Sequence, residues 1–119
     1  MVLVDTSVWI EHFRRHQTPL AELLKEESVL IHPFIAGELA CGNLANRAGI
    51  LKDLNTLPST TLATHNEVSR LIEDRRLWGR GIGWVDVHLL ASALLSKCRF
   101  WTLDNKLAQA AGEAGLAIF

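Results

Sequence analysis

Three acidic side chains lie alone in stretches of sequence that otherwise carry no Asp, Glu, Lys or Arg. Asp5 is the only such residue among the first ten, Glu38 is alone in residues 28–46, and Asp86 is alone in residues 81–96. An ionised side chain in apolar surroundings is costly unless something pairs with it. The placement therefore predicts that these acids bind something, and a cation is the obvious candidate.

A fourth acid, Asp104, resembles Asp5 in its position, because each directly follows a predicted strand, at residues 2–4 and 99–103. In open parallel sheets, ligands bind beyond the carboxyl ends of the strands. Helices that carry Glu38 and Asp86 and pack over this edge would bring all four acids into one pocket.

Carboxylates that converge in this way repel one another, which raises their pKa values unless a cation lies between them. Mg²⁺ takes oxygen ligands, typically one or two carboxylates together with waters and substrate phosphate. A metal ion lowers the pKa of a bound water and stabilises a leaving oxygen. The chemistry that these acids predict is therefore metal-assisted hydrolysis of phosphoesters.

Each acid taken alone also has a structural explanation. Asp5 and Asp104 precede predicted helices, where Asp is a favoured N-cap that contributes about 1 kcal/mol. Asp86 would lie in the first turn of a helix, where it suits the helix dipole. Glu38 is predicted in mid-helix and would need an arginine partner instead. Only the four acids together favour a shared site.

The elements that must position these acids alternate along the chain. Apolar runs and helix-start signals predict strands at residues 2–4, 28–32, 60–63, 99–103 and 116–119, and helices at residues 7–15, 19–27, 33–44, 48–57, 84–97 and 105–111, with a further helix that opens at the capping box Thr64-His65-Asn66-Glu67. Such alternation favours one α/β domain with a parallel sheet.

The composition agrees with one globular domain over residues 1–119, with 49% hydrophobic and 21% charged residues. A formal net charge of −1 gives no overall attraction to nucleic acid, so a polyanion would need a local basic patch or a metal. Cys41 and Cys98 are far apart in sequence and suit a reducing compartment. No apolar run is long enough to span a bilayer, and we expect a cytoplasmic protein without membrane contact.

Four motifs, in this order, resemble the PIN-domain ribonucleases, and most closely the VapC toxins of toxin–antitoxin pairs. They are VDTSVWIEHF, FIAGELACG, WVDVHLLASALL and FWTLDNKL, and the resemblance extends over the whole chain. It implies a three-layer α/β/α fold with a central parallel sheet. It also implies a Mg²⁺-dependent endoribonuclease, with Mn²⁺ as a possible substitute, that cuts structured RNA of the tRNA or rRNA class.

The resemblance assigns roles to individual residues. Its acidic quartet of catalytic and metal-binding residues corresponds to Asp5, Glu38, Asp86 and Asp104, with Asp5 and Asp86 as the principal ligands and Ser7, Thr102 and Asn105 as supporting residues. It further implies a homodimer and an antitoxin that docks in a groove between the early helices, where the apolar face comprises Val8, Trp9, Phe13, Leu20 and Leu24.

Two weaker patterns allow more than one interpretation. Arg76 and Arg80, with Trp78 and Trp84 nearby, could hold RNA phosphates and stack bases. The acids in the same segment favour a solvated helix face instead. His12 and His16 have a spacing that can bind zinc, but no third ligand is evident and exposed histidines are the better explanation.

Other functions remain compatible with an α/β chain of this length. A receiver-like signalling domain would need an acidic pair after the first strand, whereas Val4-Asp5 supplies one acid. A phosphatase of the haloacid-dehalogenase type would need a second Asp at position 7, which is Ser7. In a non-catalytic binding module the acids would be only caps. Stabilisation by metal, lost on substitution of Asp5 or Asp86, would distinguish these possibilities.

Overall fold

A computed structural model describes residues 1–15 and 18–119, so His16, considered with His12 as a possible zinc ligand, lies outside the described part of the chain. The elements are β1 (Val2–Val4), α1 (Thr6–Arg15), α2 (Pro19–Lys25), β2 (Val29–Leu30), α3 (Pro33–Cys41), α4 (Arg47–Leu54), α5 (His65–Arg75), α6 (Trp84–Ser96), β3 (Arg99–Trp101) and α7 (Asn105–Glu113).

The three strands form one parallel sheet in the order β2-β1-β3. In the central strand β1, Leu3 pairs with Leu30 on one side and with Phe100 on the other. All three residues of β1 are buried, which explains why this strand is a continuous apolar run. Parallel strands that lie side by side end at the same edge, and β1 is followed there by Asp5. The predicted three-layer α/β/α fold with a central parallel sheet is confirmed.

Two predicted strands, at residues 60–63 and 116–119, are wrong. Among the described residues, the bridge nearest the first segment pairs Ser59, just before it, with Ile31, and the second segment forms a single parallel bridge, Ile118 with Phe100. The second predicted strand is also shorter than expected, because regular pairing stops at Leu30. The sheet is therefore narrower than the apolar pattern suggests.

The helix signals are more accurate than the strand signals. Thr64 and Glu67 form the reciprocal capping box that the sequence predicts. Pro33 occupies the first turn of α3, and the side chain of His32 caps that helix. The helix ends at Cys41, earlier than predicted, because Gly42 takes an extended conformation with a ψ of 170°.

The core lies between the sheet and α6, whose middle residues Val87 and Leu89 to Ala93 are all buried. The other large, fully buried side chains include Phe100 of β3, Ile35 of α3 and Leu107 of α7. This packing fixes the first turns of α3, α6 and α7 relative to the sheet. No helix in residues 1–15 or 18–119 combines the length and apolar character needed to cross a lipid bilayer.

Candidate active site

Asp5 follows the central strand and is buried, with 8% of its surface exposed. Its backbone N–H donates to the carbonyl of Trp101, which extends the pairing of β1 with β3 by one bond, 2.8 Å long. Its carboxylate Oδ2 accepts hydrogen bonds from the hydroxyls of Thr102 (2.7 Å) and Ser7 (3.0 Å). Within the described chain this carboxylate accepts no backbone N–H. The capping explanation therefore fails for Asp5.

The two hydroxyls are themselves fixed by the backbone of the segment that follows β3. Ser7 Oγ accepts from the N–H of Leu103 at 3.1 Å, and Thr102 Oγ1 accepts from the N–H of Asp104 at 3.1 Å. Because each oxygen accepts a backbone proton, its own proton is free to point at Asp5. The network orients one carboxylate oxygen of Asp5, and Oδ1 forms no hydrogen bond with the residues that the structure describes.

Glu38 projects from the middle of α3 and is exposed, so it is not the buried acid that the apolar pattern suggests. Its Oε1 accepts a 3.4 Å hydrogen bond from Thr6 Oγ1. Partial loss of solvent raises the pKa of the Glu38 carboxyl; the negative charges of Asp5 and Asp86 raise it further, while the Thr6 hydrogen bond lowers it. Glu38 therefore lies within electrostatic reach of two other members of the quartet.

Asp86 lies in the first turn of α6 and is half-buried. Its Oδ2 accepts the N–H of Gly83 at 3.0 Å, which supports the N-terminus of the helix. Burial raises the pKa of the Asp86 carboxyl and the charges of Asp5 and Asp104 add to the effect, whereas the Gly83 hydrogen bond opposes it. Asp86 thus interacts with acids at the ends of both β1 and β3.

Asp104 is the member of the quartet for which the capping explanation is correct. Its Oδ1 accepts the backbone N–H groups of Lys106 (2.9 Å) and Leu107 (3.2 Å) and so caps α7. Its other carboxylate oxygen takes no part in the cap. Asn105, the first residue of α7, is exposed, and its side chain forms no hydrogen bond with described residues.

Among the described residues, no lysine or arginine forms an ion pair with this group of acids. In residues 1–15 and 18–119, the ion pairs involve Glu11, Glu22 and Glu113, none of which belongs to the quartet. Within the same part of the chain, no three His, Cys, Asp or Glu side chains lie close enough to hold one ion jointly. A cation with one or two direct carboxylates and several waters fits this arrangement, and that is the coordination Mg²⁺ prefers.

The two arginines considered for RNA binding have different surroundings. Arg80 forms an ion pair and hydrogen bond with Glu113 of α7, so its charge already has a partner in the fold. Arg76 directly follows α5 as its C-cap, lies in the left-handed region with a φ of 54°, and is exposed. Its side chain forms no ion pair or hydrogen bond with described residues. The RNA-binding role remains a prediction for both.

Sequence reasoning missed two residues near the acids. Thr6 is the hydrogen-bond donor to Glu38, and nothing in its sequence context distinguishes it from the neighbouring Ser7. Phe34 is one helical turn from Glu38 on α3 and is 39% exposed, although its apolar neighbours suggest a core position. An exposed aromatic residue next to the acids could be recognised only after the helix had been oriented.

Comparison with known proteins gives consistent results. A model of the PIN domain family matches residues 2–113. Two relatives, the proteins named Ribonuclease VapC32 in Mycobacterium tuberculosis strains CDC 1551 / Oshkosh and ATCC 25618 / H37Rv, are each 47% identical over 119 residues, covering 99% of this chain and 96% of the relative.

Solved structures also share the fold. PAE2754 from Pyrobaculum aerophilum has a TM-score of 0.61 at 18% identity, covering 98% of this chain and 81% of that one. FitAcB from Neisseria gonorrhoeae has a TM-score of 0.61 at 19% identity, covering 100% and 96%. FitAB bound to an IR36 DNA fragment has a TM-score of 0.64 at 14% identity, covering 100% and 94%.

Proposed function

The chain belongs to the PIN-domain family, among the VapC-type ribonucleases, and from that membership we propose that it is a divalent-metal-dependent endoribonuclease and the toxin of a toxin–antitoxin pair. The observation that carries the proposal is the environment of Asp5. Its carboxylate is buried and oriented by two hydroxyls, and it lies within electrostatic reach of Glu38 and Asp86. It has no basic partner in the part of the chain that the structure describes. The relatives named Ribonuclease VapC32 support the reaction class.

We assign the direct binding of Mg²⁺ or Mn²⁺ to Asp5 and Asp86, and Glu38 and Asp104 would complete the pocket through water. The bound ion would supply a water of lowered pKa and stabilise negative charge on the phosphate that is cut. Ser7 and Thr102 orient Asp5 through Oδ2, which leaves Oδ1 for the ion. In the metal-free chain, Glu38 and Asp86 hold protons more readily than ordinary carboxyls do, so metal must compete with protons there.

Cleavage of purified RNA tests the proposal. The chain, freed of any antitoxin, is incubated with total tRNA and rRNA in Mg²⁺, Mn²⁺ or EDTA. We expect discrete products with either metal and none in EDTA. Asp5→Asn and Asp86→Asn should abolish the products, because each keeps the size of the side chain while removing a charged ligand.

Asp74→Asn is the matched control, because Asp74 is an exposed acid on α5 and has no part in the proposed site. It should cleave RNA at the wild-type rate, and all three variants should have wild-type circular dichroism spectra. Cleavage that survives in both Asp5→Asn and Asp86→Asn would overturn the assignment. A wild-type chain that neither cleaves RNA nor is stabilised by metal would favour a non-catalytic binding module.

The proposal includes an antitoxin partner and a homodimer. A cleft of about 280 Å³ supports antitoxin docking, because it opens on the apolar face predicted for α1 and α2 and is lined mainly by Trp9, Phe13, Leu24, Ile50, Leu54 and Leu57. Light scattering after gel filtration measures the mass of the free chain, and we expect twice its 13.2 kDa. A cytoplasmic location follows from the proposed RNA substrates, since tRNA and rRNA are found there.

A further inference from the structure

A row of aromatic and imidazole rings crosses the surface where α3, α5 and α6 meet. Phe34 contacts His88 with ring centroids 4.9 Å apart, His88 contacts Trp84 at 4.9 Å, and Trp84 contacts His65 at 4.9 Å. Phe34 is 39% exposed and Trp84 is 40% exposed. The row therefore presents ring surface to solvent instead of burying it in the core, and we name Phe34, His88, Trp84 and His65 the ring row.

The ring row borders the acid site through its residue on α3. Phe34 lies four residues before Glu38 on α3, a spacing that puts the two side chains on one face, about 6 Å apart at their Cβ atoms. Trp84 and Asp86 are only two residues apart in the first turn of α6, so their side chains project to different sides of that helix, and Trp84 joins the row through His88. The ring row therefore meets the acid site at Phe34, beside Glu38, whose carboxyl interacts electrostatically with Asp5 and Asp86.

This margin is suited to the uncharged part of RNA. The four acids repel phosphate, and none of them has a basic partner within the described chain, so charge attraction cannot hold a strand there before metal binds. Stacking of bases on aromatic rings needs no charge and tolerates any base sequence.

We propose that the ring row, and above all Phe34 and Trp84, is a stacking site for unpaired bases of the RNA strand beside the acid pocket. The inference rests on the proposed ribonuclease function, because it names how the same site would hold its substrate. The occupant is RNA because Phe34, at one end of the ring row, lies one helical turn from Glu38 of the acid pocket. A strand stacked on the row would therefore pass Glu38.

The other exposed tryptophan of this region, Trp78, provides an internal contrast. It is 59% exposed and forms no ring contact with described residues. It lies in the connection between α5 and α6, before the glycine residues that lead to Asp86. Loss of Trp78 removes as much aromatic surface as loss of Trp84 without altering the ring row, which makes it the matched control.

The test measures binding and not cleavage. A fluorescein-labelled twelve-nucleotide oligoadenylate, and the same backbone with its six central bases removed, are titrated with the full chain in EDTA by fluorescence anisotropy. We expect the wild type to bind the intact oligomer more tightly. Trp84→Leu and Phe34→Leu should each weaken its binding about 10-fold and leave the abasic oligomer unaffected.

Leucine keeps apolar packing and removes the ring, and Trp84→Phe, which keeps a ring, should stay within about 3-fold of the wild type. Trp78→Leu should bind both oligomers as the wild type does. The proposal would be overturned if the wild type bound both oligomers with equal affinity. It would also be overturned if Trp78→Leu and Trp84→Leu lost the same affinity, or if the ring substitutions weakened binding of the abasic oligomer as well. EDTA prevents metal-dependent cleavage, so this binding test does not depend on nuclease activity. If the chain binds bases in this test but never cleaves RNA with metal, the stacking proposal stands and only the proposed nuclease function is refuted.

Discussion

Two buried polar side chains lie beyond the ends of neighbouring parallel strands, yet their surroundings differ. Asp5 follows β1 and His32 lies just past β2, with 8% and 2% of their surfaces exposed. His32 Nδ1 accepts the N–H of Phe34 at 3.0 Å, so Nε2 carries the proton and donates to Ser92 Oγ at 3.2 Å. Both ring nitrogens are used within the fold, whereas Asp5 keeps an oxygen that no described residue engages.

The comparison shows that burial at a strand end does not by itself mark a functional residue. His32 is neutral, because burial and then the charge of His88 lower its pKa to about 4. Asp5 lies among acids whose pKa values its own charge helps to raise. Asp5, the site of the proposed chemistry, differs from the structural His32 in two ways. It keeps a carboxylate oxygen that no described residue engages, and like charges surround it.

Substitution of Asp5 should lower activity and spare stability, whereas substitution of His32 should lower stability and spare activity. This is the largest effect that we expect. Asp5→Asn should lower RNA cleavage more than about 100-fold, since partners of metal ligands alone cost 10- to 100-fold. It should change the free energy of unfolding by less than about 1 kcal/mol, because the amide oxygen can still accept from Ser7 and Thr102. His32→Ala should lower that free energy by about 3 kcal/mol, because the buried Ser92 hydroxyl and the partly buried N–H of Phe34 each lose their bond.

Urea unfolding and RNA cleavage, measured on both variants, check this pair. The His32→Ala variant should still cleave RNA at temperatures where it is folded. If Asp5→Asn were as unstable as His32→Ala, Asp5 would be a structural residue and the contrast would disappear.

A pH titration of stability should isolate His32. Its pKa is lowered from 6.5 to about 4 in the folded chain, so the unfolded chain binds the proton more tightly. The contribution of His32 is therefore fully present above pH 6.5 and is lost as the pH falls from 6.5 to about 4. The loss is roughly 3 kcal/mol by linkage.

Glu38 and Asp86 have raised pKa values and change stability in the opposite direction at low pH, so the wild-type curve alone is not sufficient. The difference between wild type and His32→Asn in urea unfolding removes their contribution. That difference should shrink as the pH falls through this window. A difference that stays constant with pH would contradict the lowered pKa.

Thr102→Val should sharpen the comparison by disturbing the support of Asp5 and leaving Asp5 itself in place. The change removes the hydroxyl that donates to Asp5 and accepts from the N–H of Asp104. We expect cleavage to fall about 10- to 100-fold, as for other residues that orient a metal ligand. Thr60→Val is the matched control, because Thr60 is also buried and its hydroxyl has no partner among the described residues. Equal activity of the two variants would show that orientation of Asp5 is unimportant.

Substitution of Asp104 should give the smallest effect. Its Ala and Asn variants should separate two roles of this residue, the cap of α7 and the support of the cation. Asn can still cap α7 through its side-chain oxygen, whereas Ala cannot, so Asp104→Ala should cost about 1 kcal/mol of stability and Asp104→Asn much less. Both should lower RNA cleavage about 10-fold if the charge also supports the cation. Thermal unfolding and initial cleavage rates measure the two roles. Full activity in Asp104→Asn would leave Asp104 as a cap alone.

The sequence predicts best where local chemistry decides the structure. The Thr64–Glu67 capping box and the helix that begins at Pro33 depend on residues within one turn, and both are present. The isolation of Asp5 in an apolar segment is likewise visible in the sequence and identifies this acid as unusual. Whether an acid caps a helix or points into a pocket depends on its partners, and Thr102, which fixes Asp5, is distant in sequence.

The predicted strand at residues 60–63 is wrong for a related reason. A strand needs a neighbouring ladder, but side chains of α6 bind this backbone instead. Thr61 N–H donates to Ser96 Oγ at 2.9 Å, and Ala63 N–H donates to Ser92 Oγ at 3.1 Å. Ser92 also receives the His32 bond, so one buried hydroxyl joins three parts of the chain. No periodicity in the sequence could predict that competition.

Binding of Mn²⁺ tests the central claim, that Asp5 holds a divalent cation, most directly. Wild type, Asp5→Asn and Asp74→Asn are titrated with Mn²⁺, and free ion is counted by electron paramagnetic resonance. We predict that wild type and Asp74→Asn bind Mn²⁺ alike and that Asp5→Asn binds it at least about 10-fold more weakly. Equal binding by wild type and Asp5→Asn would contradict the claim.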